Sequence, residues 1–349
     1  MKKKAIKPGG VLAIFCMVLL LTNTKSVVTS GREAIDLCIQ TVIPSLFPFI
    51  FITKFISRNT FGKSRIFSFF EKLCKIPHGT ASVFLIGALG GYPIGAQITQ
   101  KLYKEKELSR FQAIRMSTFS NNPGPAFLFG VCGLLFTDKY IPMIMWIMQI
   151  FSAFIIGMII PGYLEATPIH PKNTNKSIRI YLQESISTMA CICGWIILFR
   201  ILITICNIWV LSAAPTLIRL IFTGALELTN GCVGLFEISS QGLRFVICSG
   251  ILSFGGLCIT MQTASVLSGL DLKTYTLGKL VHCTLSLFIS SILQLFLFSP
   301  EEKIIIPIWI LIILIFLLAL LGYILYNKIN VEKRAYMQYN KENKLKEVH

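Results

Sequence analysis

The chain has 349 residues, of which 54% are hydrophobic and only 14% are charged, and its mean hydropathy is +0.70. Soluble domains carry about 25% charged residues, so this composition excludes a soluble fold and indicates an integral membrane protein. The formal net charge of +17 comes from short basic runs between apolar segments. Such runs are typical of cytoplasmic loops, and without a basic face we expect no nucleic-acid binding.

Eight apolar segments have about the 20 residues that a membrane-spanning helix needs. The basic cluster Lys2 to Lys4 precedes the first one and no small-residue cleavage site follows it, so we expect an uncleaved anchor helix over residues 1–30. The segments are 10–23, 33–56, 111–136, 140–162, 181–211, 216–236, 274–298 and 304–326. The charges between them predict that both termini are cytoplasmic.

Two further apolar stretches, 80–100 and 245–267, are harder to place. Basic residues flank the first stretch on both sides, so we predict that it enters the membrane from the cytoplasm and returns as a re-entrant hairpin. We assign the second stretch the same form. The weakest of the eight spans is 216–236, which contains Arg219 and Glu227. Its loss would make the two hairpins an inverted pair, but it would place the basic tail outside.

The two stretches share a motif, in which a glycine pair is followed by five residues and then by glutamine. The motif residues are Gly90, Gly91 and Gln97 in the first copy and Gly255, Gly256 and Gln262 in the second. A basic residue follows each glutamine at a similar distance, Arg115 after 18 positions and Lys279 after 17. This ordered correspondence predicts an internal duplication. We place the repeats at 31–165 and 175–326, followed by a basic cytoplasmic tail at 327–349.

A glycine pair at membrane depth permits a non-helical turn, whose free backbone N–H and C=O groups can bind a ligand. Close helix packing through small residues is the alternative. The glutamine in each copy favours a binding site, because a primary amide is costly in lipid.

A polar stretch, Ser120 to Pro125, interrupts the predicted span 111–136. It contains Asn121, Asn122 and two prolines, and no straight helix accommodates that sequence. We therefore predict two half-helices, whose positive N-terminal ends would attract an anionic group.

A second break lies in the weakest span and supplies Thr229 and Asn230 as candidate binding residues. Glu227, within this break, is the carboxylate that we place deepest in the membrane, so it is a candidate for ion or proton coupling. The alternative is a structural ion pair with Arg200 or Arg219.

Three basic residues complete the candidate site. Arg115 and Lys279 would attract an anionic substrate, although a lysine near a helix end often extends to the lipid headgroups instead. Histidine changes charge near neutral pH, so His282 is a second candidate for proton coupling. A hydrogen-bonded structural histidine is the alternative.

The eleven cysteines show neither a CxxC pair nor the spacing of a zinc site, and we interpret them as buried small apolar residues. No hydrolase, metalloprotease, Walker or dinucleotide-binding motif occurs. We therefore expect no catalytic residue, no metal site and no cofactor.

The motifs resemble those of a known family. Gly90 to Gln97, Ser120 to Pro125 and Glu227 to Gly231 are similar to the nucleoside-recognition (gate) domain family in its YlbJ-type sporulation branch, over roughly residues 30–325. The resemblance implies an all-α polytopic membrane protein like the concentrative nucleoside transporters. Its re-entrant hairpins and broken helices would enclose the substrate.

The resemblance also implies a role in an endospore-forming bacterium, namely export of dipicolinic acid from the mother cell across the outer forespore membrane. We expect a secondary carrier rather than an enzyme, with the lipid bilayer, a small anionic substrate and a coupling Na+ or H+ as partners. Homo-oligomerisation stays open. A nucleoside carrier and a non-transporting scaffold for spore envelope or cortex assembly are the alternatives.

Overall fold

The computed structural model describes residues 8–56, 65–162 and 177–347, and within these ranges the chain forms sixteen α-helices and no strand. The helices of the first half are α1 (Pro8–Thr22), α2 (Thr24–Leu37), α3 (Ile43–Ile56), α4 (Arg65–Cys74), α5 (Ala81–Gly90), α6 (Ile94–Lys104), α7 (Arg110–Ser120), α8 (Pro125–Gly130) and α9 (Ile141–Ile159). Those of the second half are α10 (Ile178–Trp209), α11 (Thr216–Leu226), α12 (Leu228–Gly234), α13 (Gln241–Phe254), α14 (Gly256–Val266), α15 (Leu272–Leu297) and α16 (Ile308–Glu347). The predicted all-α class is confirmed.

Six helical segments in the described part of the chain are long and apolar enough to cross a membrane. They are Thr24–Ile56, Ile141–Ile159, Ile178–Trp209, Gln241–Val266, Leu272–Leu297 and Ile308–Gln338. The fourth contains the stretch that the sequence assigns to the second hairpin. The predicted span 216–236, by contrast, consists of the two short helices α11 and α12.

The α5–α6 segment folds back on itself. A Cβ added to Gly87 of α5 would lie 3.0 Å from the Cα of Gly95 in α6, although residues eight apart in a straight helix lie about 12 Å apart. Between them, Gly91 has φ +76° and ψ −175°, a conformation that essentially only glycine adopts. The first glycine pair therefore ends a helix and reverses the chain.

The α11–α12 segment reverses the chain in the same way, but it has no glycine pair. A Cβ added to Gly231 of α12 would lie 2.3 Å from the Cα of Gly224 in α11, and Glu227 stands at the turn. The structure therefore has a helix pair where the sequence predicts one broken span. Two small residues, seven positions apart, allow the two short helices to pack side by side.

The second glycine pair interrupts a long apolar segment. Gly255, with φ +79°, and Gly256, with φ +74°, separate α13 from α14 within the 26 residues of Gln241–Val266. The first half contains a comparable broken helix, in which the non-helical residues 121–124 separate α7 from α8. Each half thus has, in the same order, a long helix, a folded-back helix pair, a broken helix and another long helix.

The predicted tail continues α16 as far as Glu347. Lys328 Nζ lies 2.8 Å from Asp271 Oδ2 at the start of α15, and Arg110 Nη1 lies 2.7 Å from Glu332 Oε2. Burial alone raises the pKa of Asp271, but hydrogen bonds from Lys328 and Thr274 outweigh it and lower the pKa to about 2. Two ion pairs thus connect the tail to both halves. Residues 1–7 of the predicted anchor and the last two tail residues lie outside the described ranges.

Candidate functional site

The folded-back pairs and the broken helices meet around two adjacent cavities. The smaller cavity, of ≈ 30 Å³, is lined by Gly91 at the first turn, Gly124 in the first broken helix and Glu227 at the second turn. The larger cavity, of ≈ 150 Å³, is lined by Gln97 of α6. Gln262 of α14 lines both cavities. Residues that the sequence places in four separate segments therefore come together.

Glu227 caps the N-terminus of α12 with its carboxylate. Its Oε1 accepts a hydrogen bond from the N–H of Thr229 at 2.9 Å, and its Oε2 accepts from the N–H and from the Nδ2 of Asn230, both at 2.6 Å. Only 1% of Glu227 is exposed. Backbone N–H groups at a helix N-terminus stabilise negative charge, so these donors support a buried carboxylate beside the smaller cavity.

Neither candidate arginine forms the direct ion pair with Glu227 that the sequence offers as an alternative. Arg200 Nη1 donates to Asn230 Oδ1 at 3.3 Å, and its Nη2 lies 2.7 Å from Glu33 Oε2. Arg219 donates to Thr216. Arg200 therefore reaches Glu227 only through Asn230.

Gln262 presents an unpaired polar group to the cavities. Its Oε1 is buried and has no hydrogen-bond partner among the described residues, and its Nε2 contacts only the weak acceptor Sγ of Cys258 at 3.3 Å. An unsatisfied buried polar atom costs about 1–3 kcal/mol. A glutamine side chain has both a carbonyl acceptor and an NH2 donor, so Gln262 can offer a bound molecule either kind of hydrogen bond.

Gln97 faces the larger cavity through a long contact, 3.5 Å from its Nε2 to Thr188 Oγ1. Thr188 is also bonded to Lys54, whose Nζ donates to Thr188 Oγ1 and to the Glu184 carbonyl, both at 2.7 Å. The sequence analysis missed Lys54 and Thr188. A lysine in the last turn of an apolar helix predicts a contact with lipid headgroups. Only the fold shows that Thr188 lies between Lys54 and Gln97.

The asparagines of the first broken helix belong to a polar cluster next to the cavities. Asn121 Nδ2 donates to Thr263 Oγ1 at 3.2 Å and to the Tyr275 hydroxyl at 3.1 Å. Lys279 Nζ donates to the Asn121 carbonyl at 2.6 Å and lies 3.5 Å from Asn122 Oδ1. Lys279 is fully buried, so the alternative of a headgroup contact is wrong.

Arg115 lines neither cavity. Its guanidinium is buried among main-chain carbonyls, with Nη2 donating to Gly157 at 2.8 Å, to Ile160 at 3.3 Å and to Cys74. These bonds connect α7 to the ends of α4 and α9. The structure therefore separates Arg115 from Lys279, which the sequence pairs.

The remaining predicted residues lie at the turns, at the helix breaks or close to the cavities. A Cβ on Gly90 would meet the side chain of Thr53 at 2.7 Å, and one on Gly256 would lie 3.0 Å from the Leu226 carbonyl. Gly255 joins α13 to α14, and His282 contacts the carbonyl of Gln149. Thr229 lines the smaller cavity beside Glu227.

Three buried cysteines also meet, although their sequence spacing predicts no cluster. Cys248 Sγ lies 3.9 Å from Cys232 Sγ and 3.8 Å from Cys132 Sγ. They lie in the apolar core between α8, α12 and α13. Three sulfur atoms at these distances could hold a soft metal ion, which the sequence analysis did not anticipate.

No family model and no solved structure matches the chain. The chain is similar to the sporulation integral membrane protein YlbJ of Bacillus subtilis (strain 168), with 22% identity in a match that covers 74% of this chain and 75% of the relative. This match supports a YlbJ-type family assignment. The resemblance that the motifs predict is thereby confirmed. The relative's name and the long apolar helices agree that this chain is a multi-pass integral membrane protein.

Proposed function

We propose that this YlbJ-type protein is a secondary carrier of a small anionic aromatic compound, dipicolinic acid, and acts during sporulation in the outer forespore membrane. The observation that carries the proposal is the convergence of two turns, two broken helices and Gln262 on one pair of cavities. Broken helices that surround a central polar site are typical of secondary carriers. The sporulation role is supported by the relative's name.

The larger cavity suits a substituted aromatic ring. A protein cavity of about 150 Å³ holds one benzene molecule, and this one measures ≈ 150 Å³. Trp195 and Val266 supply apolar walls, while Gln97 and Gln262 supply polar groups. Thr188, which also lines this cavity, accepts a hydrogen bond from Lys54 Nζ behind it. Few polar groups in an apolar wall are typical of small-molecule sites.

Glu227 supplies the coupling step of the proposed carrier. Because Gln262 borders both cavities, an anion in the larger one lies next to the cavity that Glu227 lines. Like charges repel strongly where water is excluded, so binding of the anion favours protonated Glu227. We therefore propose that the substrate and a proton move together, and that the protein is a carrier rather than an enzyme.

The membrane topology that we propose has eight spans. They are α1, α2–α3, α7–α8, α9, α10, α13–α14, α15 and α16. Three of these lie between the α5–α6 and α11–α12 pairs, so these pairs enter as hairpins from opposite sides, as in inverted repeats. Lys101 and Lys104 then face the cytoplasm with the tail, while Glu237 and Glu301 lie outside. If 216–236 forms the second hairpin and 245–267 forms a span, the number of spans between the hairpins is odd and the tail stays in the cytoplasm.

The experiment is uptake of labelled dipicolinate by proteoliposomes that contain the purified protein. We expect a pH gradient to drive accumulation in the wild type. Glu227→Gln keeps one acceptor oxygen for α12 but cannot bind and release a proton, so it should still exchange dipicolinate across the membrane and should no longer accumulate it. Thr216→Ala, which changes only a contact to Arg219 at the start of α11, is the control and should accumulate dipicolinate like the wild type.

Two results would contradict this proposal. Competition by uridine, but not by aromatic dicarboxylates, would favour the nucleoside carrier. Absence of both binding and uptake, together with normal sporulation of a strain carrying Gln262→Ala, would favour the scaffold.

A further inference from the structure

Helix α15 brings a lysine to the point where α7 ends. Lys279 is 0% exposed, and its Nζ donates to the carbonyl of Asn121 at 2.6 Å. The Oδ1 of Asn122 lies 3.5 Å from the same nitrogen, and the ring of Tyr92 lies below it, 5.0 Å from Nζ to the ring centroid. An aromatic face attracts a cation, more strongly where water is excluded.

His282 completes the surroundings of this ammonium group. Its Nδ1 lies 3.4 Å from Lys279 Nζ, and its Nε2 lies 3.1 Å from the carbonyl of Gln149. A carbonyl only accepts, so Nε2 carries the hydrogen of a neutral ring and Nδ1 is left as an acceptor. The histidine therefore serves as a ligand of the cation.

None of the ion pairs among the described residues gives Lys279 a carboxylate partner. The compensating negative charge comes from the helix end, because Asn121 is the C-terminal cap of α7 and the last carbonyls of a helix carry partial negative charge. Main-chain carbonyls at the C-terminal end of a half-helix are also the groups with which broken helices hold Na+ in secondary carriers. The Lys279 ammonium thus lies at the kind of position where a coupling cation binds, and it contacts the kind of groups that would coordinate one.

We propose that the Lys279 ammonium replaces a bound alkali-metal cation at the break between α7 and α8, so that this protein requires no Na+. The inference rests on the proposed carrier function and deepens it, since a built-in cation leaves Glu227 as the ion-coupling group. It also changes the expected role of Lys279, whose donors are taken by the protein rather than by the substrate.

The test is thermal unfolding of the purified protein in detergent, which needs no substrate. Wild type, Lys279→Ala and Lys279→Met are compared in sodium, methylammonium and N-methylglucamine chloride at equal ionic strength. We expect the same wild-type Tm in all three salts. In N-methylglucamine chloride, the Tm of Lys279→Ala should be lower than that of the wild type by about 5 °C or more. Sodium or methylammonium chloride should restore at least half of this difference. The methionine of Lys279→Met fills the space of the lysine, so neither cation should raise the Tm of this variant. Lys273→Ala, at an exposed position of α15, is the control and should have the Tm of the wild type.

A wild-type protein that Na+ stabilises over N-methylglucamine would overturn the inference, as would a Lys279→Ala protein that responds to neither small cation. If Lys279→Ala cannot be purified, equilibrium binding of radioactive Na+ to the wild type decides, with no binding expected and stoichiometric binding contradicting the inference. These readouts are independent of transport. Missing dipicolinate uptake with the expected salt responses would contradict the carrier function alone.

Discussion

The two glycine pairs share a sequence motif but stand in different elements. Gly91 belongs to the turn of the α5–α6 pair, and a Cβ there would lie 2.9 Å from the backbone nitrogen of Gly124 in the first broken helix. Gly256 belongs to the second broken helix, and a Cβ there would lie 3.0 Å from the carbonyl of Leu226 at the α11–α12 turn. In each half, the glycine pair therefore lies at the contact between a helix pair and a broken helix, on the side of the helix pair in the first half and on the side of the broken helix in the second.

What distinguishes the helix pairs is a second, less obvious arrangement of glycines. Gly87 faces Gly95, and Gly224 faces Gly231, so two main chains approach without side chains between them. The glycines therefore have two roles: some allow two segments of the backbone to approach closely, and others adopt a backbone conformation with positive φ. The substitutions below test each role.

The largest expected effect is on the glycines that allow close approach. A Cβ on Gly95 would lie 2.1 Å from the carbonyl oxygen of Ser120, and one on Gly231 would lie 2.3 Å from the Cα of Gly224. Backbone atoms cannot rotate away, so we expect Gly95→Ala and Gly231→Ala each to destabilise the protein by about 3 kcal/mol or more. Thermal unfolding in detergent and the yield of monodisperse protein measure this loss.

Gly194→Ala is the matched control for these substitutions. Gly194 lies in α10, and among the described residues nothing beyond the helix's own nearby backbone would lie within 4 Å of an added Cβ. Alanine is favoured over glycine inside a helix by about 1 kcal/mol, so this variant should be as stable as the wild type or slightly more stable. Equal Tm values for Gly95→Ala and Gly194→Ala would show that α6 does not pack against the end of α7 as described.

A smaller effect should separate the two glycines that have positive φ. Gly255 has φ +79° and ψ −8°, in the left-handed region that asparagine also adopts. Gly91 has φ +76° and ψ −175°, where essentially only glycine is found. We expect backbone conformation to make Gly255→Asn cost about 1 kcal/mol and Gly91→Asn about 2–3 kcal/mol, measured as Tm shifts, and the approach to Gly124 adds to the loss at Gly91. Equal losses would mean that the two glycine pairs constrain the backbone alike.

Much of this architecture follows from the sequence, because composition and helix-breaking residues act locally. The all-helical class and the break at Asn121 are examples. The sequence did not predict the folded-back pair α11–α12, since hydropathy does not distinguish one straight apolar helix from two short apolar helices that pack side by side. The choice between them depends on whether Gly224 and Gly231 face each other, and this is a property of packing.

The same limit applies to the charged residues. Lys54, Arg115 and Lys279 all give the same sequence signal, a basic residue in an apolar helix. The fold gives each a different set of acceptors, namely Thr188 for Lys54, carbonyls of α9 for Arg115 and the end of α7 for Lys279. Spacing along the chain cannot predict which carbonyls come within reach.

The smallest expected effect distinguishes the two motif glutamines. Gln262 lines both cavities and has an unpaired amide oxygen, whereas Gln97 lines only the larger cavity and already contacts Thr188. We expect Gln262→Ala to weaken dipicolinate binding about tenfold and Gln97→Ala about threefold, where tenfold corresponds to about 1.4 kcal/mol. Gln100→Ala, one turn from Gln97 and bonded to the Ser268 carbonyl, is the control in equilibrium binding and should change the affinity little. A larger loss for Gln97→Ala would confine the substrate to the larger cavity, and the smaller cavity with Glu227 would then have no part in holding it.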